Sequence, residues 1–206
     1  MSRRGRPSAD EAQRRRDKVL NAARAEFIEK GFRAATMDDI AVRANVSKRS
    51  LYSWHADKAA LFRACAVEGA RDLALAVLDP ALDLEGGLTQ YATVLLDALS
   101  DHYAFGMGSL LMREGRDFPD IPDAVEQGHQ YILEPLTTFL DEKGFGESSA
   151  RLSRLFESLL VSDLQQRMVL GLSPPTKEES EVRIADSVRL FLYGASAWQG
   201  ASRRAA

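Results

Sequence analysis

The sequence predicts an all-α chain: a three-helix N-terminal head with a helix-turn-helix, followed by an antiparallel helical bundle. Three observations carry this. Apolar residues recur at three- and four-residue spacing along nearly the whole chain, with no sustained period-two alternation of β-branched residues. Capping residues and Gly or Pro breakers cut that pattern into segments of helical length. The charge is also lopsided: residues 1–63 hold 15 Lys and Arg against 8 Asp and Glu, whereas residues 64–206 hold 12 against 22. A basic first third on an acidic body is the asymmetry of a chain whose front meets a polyanion, although the formal net charge is only −3.

The elements follow in order. Residues 1–7, MSRRGRP, form an unpatterned basic arm. Ser8-Ala-Asp-Glu11 has the S-x-x-E form of a capping box, opening a helix over about 9–30 that buries Val19, Ala23 and Phe27 and stops at Gly31. Thr36 caps a short helix rich in acids at its start, ending near Ala44. Asn45, a residue that tolerates the left-handed conformation, makes the turn, and Ser47 caps a third helix over 48–54. A fourth helix follows Asp57 and runs to about Asp79. The body should hold helices near 84–100, 101–115, 120–142, 148–171 and 176–199, with 200–206 frayed. Gly86-Gly87, residues 117–122, Gly144-Phe-Gly146 and Ser173-Pro-Pro175 are the breakers between or near them.

Composition excludes several classes of protein. No apolar run approaches the ~18–20 residues that span a bilayer. No apolar segment follows the basic N-terminus, so no secretory leader is expected. One cysteine, Cys65, rules out a disulfide framework or a Cys-rich zinc site. The scattered His55, His102 and His129 lack metal-ligand spacing. Gly106-Met-Gly108 lies in an apolar helix without a third Gly or a preceding strand, and P-loop, G-x-S-x-G and HExxH patterns are absent. The expectation is a cytoplasmic protein that is not an enzyme and uses no cofactor or metal.

Residues 36–54 are the most informative. Two short helices joined by a three-residue turn cross steeply and share a small core, which needs a small residue at the crossing. Ala41 is that residue, and Ile40, Ala44, Val46 and Leu51 are the apolar set. Ser47, Lys48, Arg49, Ser50, Tyr52 and Ser53 supply donors without acids, a composition suited to the major groove. The same residues would also suit a helical hairpin with a solvated polar face.

At this point residues 14–63 resemble the DNA-binding domain of the TetR/AcrR family of transcriptional regulators. The family run is a helix ending in Phe and Gly, then T-x-x-x-I-A, a V-S step and L-Y-x-x-F-x-x-K-x-x-L. Here it is met by Phe27, Gly31-Phe32, Thr36, Ile40-Ala41, Val46-Ser47, Leu51-Tyr52, Lys58 and Leu61-Phe62. Glu114-Gly-Arg-Asp-Phe-Pro-Asp-Ile-Pro122 and Val188–Gly194 are similar to a C-terminal type found in that family. Three residues depart from the pattern: His55 for Phe, Trp54 for His or Tyr, and Arg49 for a frequent Gly.

The resemblance implies a homodimer on a pseudo-palindromic double-stranded DNA operator, with residues 8–57 as the reader and 58–206 as the dimerising and ligand-binding part. It implies phosphate contacts at Thr36 and Lys58. Lys48, Arg49 and Ser50 are the candidate base readers and Tyr52 lies against the backbone; Ser47 and Trp54 complete the DNA-binding set, Trp54 also standing where it can supply the ring missing with His55 in place of Phe. Arg3, Arg4 and Arg6 flank Gly5 and Pro7 in an AT-hook-like arm, which either enters an A·T minor groove or acts through charge alone.

Helices 148–171 and 176–199 are apolar on more than one face and are the dimer candidates. Tyr91, Tyr103, Met107, Leu111, Met112, Phe118, His129, Leu133 and Phe156 are candidate walls of a ligand cavity, His129 and Tyr103 being its polar handles. The family mechanism is then a repressor freed from DNA by a small apolar or amphipathic effector. The alternative is a helical ligand-binding or scaffolding protein without specific DNA binding.

Overall fold

The computed structural model describes residues 9–72, 78–115 and 121–204. They form α1 (Ala9–Ala34), α2 (Met37–Ala44), α3 (Lys48–Trp54), α4 (Lys58–Asp72), α5 (Leu84–Ser100), α6 (His102–Glu114), α7 (Ile121–Leu140), α8 (Ser149–Leu170) and α9 (Lys177–Arg204). No strand occurs among the described residues. The basic arm, the Ser8 capping box, positions 73–77 of the expected fourth helix and residues 116–120 lie outside them.

Local chemistry explains most helix boundaries. Thr36 Oγ1 accepts from Asp39 N at 3.1 Å, Ser47 Oγ from Ser50 N at 3.1 Å, and Asp57 Oδ1 from Ala60 N at 2.7 Å. Asp83 caps α5 through Gly86 N at 2.7 Å, and Asp101 caps α6 through Tyr103 N at 2.9 Å. Each side chain satisfies a backbone donor that the first turn leaves open. Thr176 and Glu179 form a reciprocal box at the start of α9, Glu179 N donating to Thr176 Oγ1 and Thr176 N to Glu179 Oε2.

Four sequence expectations can be compared with the helices. Gly31 breaks the helical path at φ 76°, where the sequence stops the first helix, and a separate turn beyond the kink leads to Ala34. A residue with a Cβ would be strained at that φ. Gly86 and Gly87 do not interrupt a helix; both lie inside α5. A Cβ at Gly87 would stand 2.0 Å from Phe139 Cζ, so the position serves the close approach of α5 to α7. After α7 the chain makes a π turn over Asp141–Phe145 and a 3-10 turn over Gly146–Ser148 before α8. Finally, α9 continues through residues expected to fray, reaching Arg204.

The apolar faces gather into two cores. One joins α1 to α4 around Val19, Phe27, Ile40, Leu51 and Phe62, and takes in Met107 and Leu110 from α6. Phe27, Phe32 and Phe62 meet with centroids 5.1–5.7 Å apart, two of the three contacts edge-on. The other joins α5 to α9 around Tyr91, Leu95, Leu136, Phe139, Phe156 and Leu160. Head and body meet along α1 and α6. There Ile28 lies against Gly106, and Glu114 Oε2 accepts from Phe32 N at 3.2 Å.

Candidate nucleic-acid interface and ligand cavity

The reading head is built from α2 and α3. Asn45 adopts the left-handed conformation at φ 55°, ψ 47°, and Val46 N donates to Ala41 O at 3.0 Å, which closes the turn. Ile40, Ala41, Ala44 and Leu51 are buried at the crossing. Lys48, Arg49, Tyr52 and Ser53 remain on the surface of α3. Arg49 has no hydrogen-bond or ion-pair partner among the described residues.

The other expected contacts are distributed differently. Lys48 pairs with Asp38 across the two helices. Ser47 and Ser50 spend their hydroxyls on the cap, with the two oxygens 2.8 Å apart. Trp54 is half-buried against the head core, where its ring packs under α3. Lys58 is also reassigned: its Nζ donates to Phe32 O at 2.7 Å, Ala35 O at 2.8 Å and Arg33 O at 3.1 Å, and stands 4.6 Å from the Phe32 ring. An ammonium has three donors, and all three are committed to the turn that carries Thr36. Burial lowers the Lys58 pKa. Thr36 is exposed beside its cap, at the N-terminus of α2. Arg3, Arg4 and Arg6 lie outside the described residues.

The excess of base residues in the head is partly cancelled by local pairing. Arg43 bonds Glu26 at 3.1 Å and also Glu29, and Lys30 bonds Glu26 and Asp39. The hydrogen bond from Arg43 lowers the Glu29 pKa, and that from Lys30 lowers the pKa of Asp39. The pairs of Arg43 with Glu26 and Glu29, and of Lys30 with Asp39, tie α1 to α2.

A cavity of about 530 Å³ lies where α1 of the head, and α4 packed on it, meet α5 to α8. Of the candidate wall residues, Tyr103, Met107, Leu111, Met112 and His129 line it. Tyr91, Leu133 and Phe156 do not, being buried in the body. Tyr91 Oη donates to Ile132 O at 3.3 Å, one turn before Pro135 in α7, and burial raises its pKa. The Phe156 ring sits 6.2 Å from that of Tyr91 and 5.0 Å from that of Phe191. Phe118 is outside the described residues.

Sequence reasoning missed Arg24, Cys65 and Glu157 in the cavity wall. Burial pushes the Cys65 thiol up to about 12, so it is a packing group and not a nucleophile. Glu157 is buried, a charge on the face of α8 that also carries Ser153 and Val161, and its Oε1 lies 3.3 Å from His129 Nε2.

The hydrogen bond with Glu157 raises the His129 pKa, against desolvation and the charge of Arg154, with Glu126 adding a smaller increase. A raised folded-state pKa contributes stability that is complete below the ordinary histidine value of about 6.5 and is lost as pH rises through the raised value. Thermal melts between about pH 5 and about pH 9 should therefore show a decline that Glu157→Gln flattens. Equal slopes in the two proteins would count against the pair.

This architecture has relatives. Residues 19–65 match the family model described as bacterial regulatory proteins, tetR family. The HTH-type transcriptional regulator UidR of Escherichia coli is 30% identical over 159 residues, covering 75% of this chain and 79% of that protein. A TetR-family regulator from Mesorhizobium loti superposes with a TM-score of 0.77 at 26% identity, covering 88% of this chain and 96% of the other. The flavonoid-responsive regulator FrrA gives 0.69 at 29% identity, covering 88% and 97%. The fold and the head define a DNA-binding transcriptional regulator and not an enzyme. The chain belongs to the TetR family.

Proposed function

We propose that this regulator is a repressor that binds a pseudo-palindromic operator as a homodimer and leaves it when a small apolar or amphipathic ligand fills the cavity. The observation that carries this reading is the shared wall. Arg24 in α1 belongs to the head, and Cys65 in α4 packs into the same core as α1 to α3, yet both line the same space as Met107, His129 and Leu164 of the body. A ligand there touches the elements that position α2 and α3, and it shifts the DNA equilibrium by as much as it prefers the unbound arrangement. The flavonoid response named for FrrA is a precedent for ligand control on this fold.

One helix-turn-helix reads only part of a turn of DNA, so two copies are needed. Leu155 and Leu159 on α8, and Val182, Leu190 and Tyr193 on α9, are exposed in the single chain. They favour the pairing through α8 and α9 that the sequence suggests. Residues 8–57 then form the reading part and 58–206 the dimerising and sensing part. Thr36, Ser47, Lys48, Arg49, Ser50 and Tyr52 face DNA, and the arm with Arg3, Arg4 and Arg6 adds contacts beside them.

Selection of bound DNA from a random pool tests the core of this reading. The expected product is a two-fold symmetric site whose affinity falls steeply with salt, because displaced counterions drive binding. Sequence-blind or salt-insensitive binding would favour the scaffold alternative. Within the selected site, Arg49→Ala should cost about 1–3 kcal/mol and relax preference at one position of each half-site. A uniform loss across all sequences would assign Arg49 to phosphate.

A further inference from the structure

Resting on the cavity as the effector site, we propose that its ligand is a neutral, apolar molecule bearing a hydroxyl group, which Glu157 and His129 bind. The walls are apolar over most of their extent, with Met107, Leu111, Val161 and Leu164 among them. Glu157 interrupts them as a carboxylate 7% exposed, and its partner among the described residues is His129. A buried carboxylate needs its lone pairs satisfied. Oε1 takes His129 Nε2, and the second oxygen is open to a donor from the cavity.

The charges of the site select among donors. Glu157 and His129 form one pair across the wall, Oε1 lying 3.3 Å from Nε2. A carboxylate ligand placed there would meet Glu157 as a like charge. An ammonium ligand would compete with His129 for the same carboxylate. A hydroxyl donates to the open oxygen without disturbing the pair, and its apolar body fills the rest of the space. The other charged groups of the wall have partners of their own. Arg24 Nη1 donates to Asn21 Oδ1 at 3.5 Å, and Asp101 Oδ1 accepts from Tyr103 N and Ala104 N. Tyr103, Met112 and Val125 are partly exposed at the rim, which places the mouth between α6 and α7.

Calorimetric titration of the full chain with four probes of one shape tests this: β-naphthol, β-methylnaphthalene, β-naphthoate and β-naphthylmethylammonium. The naphthol should bind about tenfold or more tightly than the methyl compound, since a hydrogen bond to a charged acceptor is worth about that ratio. Glu157→Gln, which keeps the side-chain volume, should reduce that preference severalfold. Equal binding of naphthol and methylnaphthalene, a preference that survives in the variant, or tighter binding of the naphthoate or the ammonium would each overturn the hydroxyl assignment while leaving the cavity as a site. Binding of none of the four would overturn the cavity reading itself. The wild-type series decides the question even if the variant folds poorly, which its melting curve would reveal.

Discussion

Replacing Lys58 with Met should lower the melting temperature by about 5–10 °C and weaken operator binding without changing its salt dependence. The substitution keeps the apolar stem over Phe32 but removes the donors to Phe32 O, Arg33 O and Ala35 O. Hydrogen bonds from a charged donor are each worth about 1.5–3 kcal/mol; partial exposure and shared geometry bring the expected total to about 2–3 kcal/mol. For a chain of this size each kcal/mol is about 2–4 °C. DNA affinity suffers because the turn held by Lys58 leads directly into the Thr36 cap. Thermal melts and binding isotherms at several salt concentrations separate the two roles of the lysine. A phosphate contact would leave the melt unchanged and make the salt slope shallower by about 0.9.

Gly87→Ala should destabilise the body by about 1–3 kcal/mol even though alanine is the better helix former. The new methyl would lie 2.0 Å from Phe139 Cζ and 2.3 Å from Cε1. Phe139 is 1% exposed within the body core, so its ring can yield only by pushing α5 and α7 apart. Because the two side chains are in contact, Phe139→Leu should recover part of the loss in the double variant. A melting temperature at or above wild type for Gly87→Ala alone would show that the approach of the helices is looser than described.

Much of the fold was legible because short-range chemistry announces it. Thr36, Ser47 and Asp57 lie where a first turn needs an acceptor, Asn45 where the chain turns left-handed, and Gly31 where α1 leaves its helical path. Even the reciprocal box at Thr176 and Glu179 is written in the local T-x-x-E pattern. Gly87 misled because a glycine that admits a neighbouring helix looks the same in sequence as one that ends a helix.

The site was less legible for a related reason. Tyr91 and Met107 are both apolar-faced residues at helical spacing, yet one is solid core and the other borders a cavity. That distinction depends on what stands opposite, which periodicity does not carry. Glu157 did leave a signal, as an acid four residues from Ser153 and from Val161 on the buried face of α8. The commitment of Lys58 left none, since its acceptors are backbone carbonyls 23 to 26 residues away.

The interlock along α1 and α6 bears on how such regulators can be re-engineered. Met107 and Leu110 complete the core of the head, Ile28 rests in the space that Gly106 leaves, and Glu114 holds Phe32 N. A chimera cut at residue 57 would graft a foreign head onto an α6 shaped for another one, leaving a void or a clash at each of these contacts. New operator preference is therefore better introduced by recoding the outward side chains of α3 than by transplanting the head. A transplant that is attempted should carry the matching surface of α6 with it.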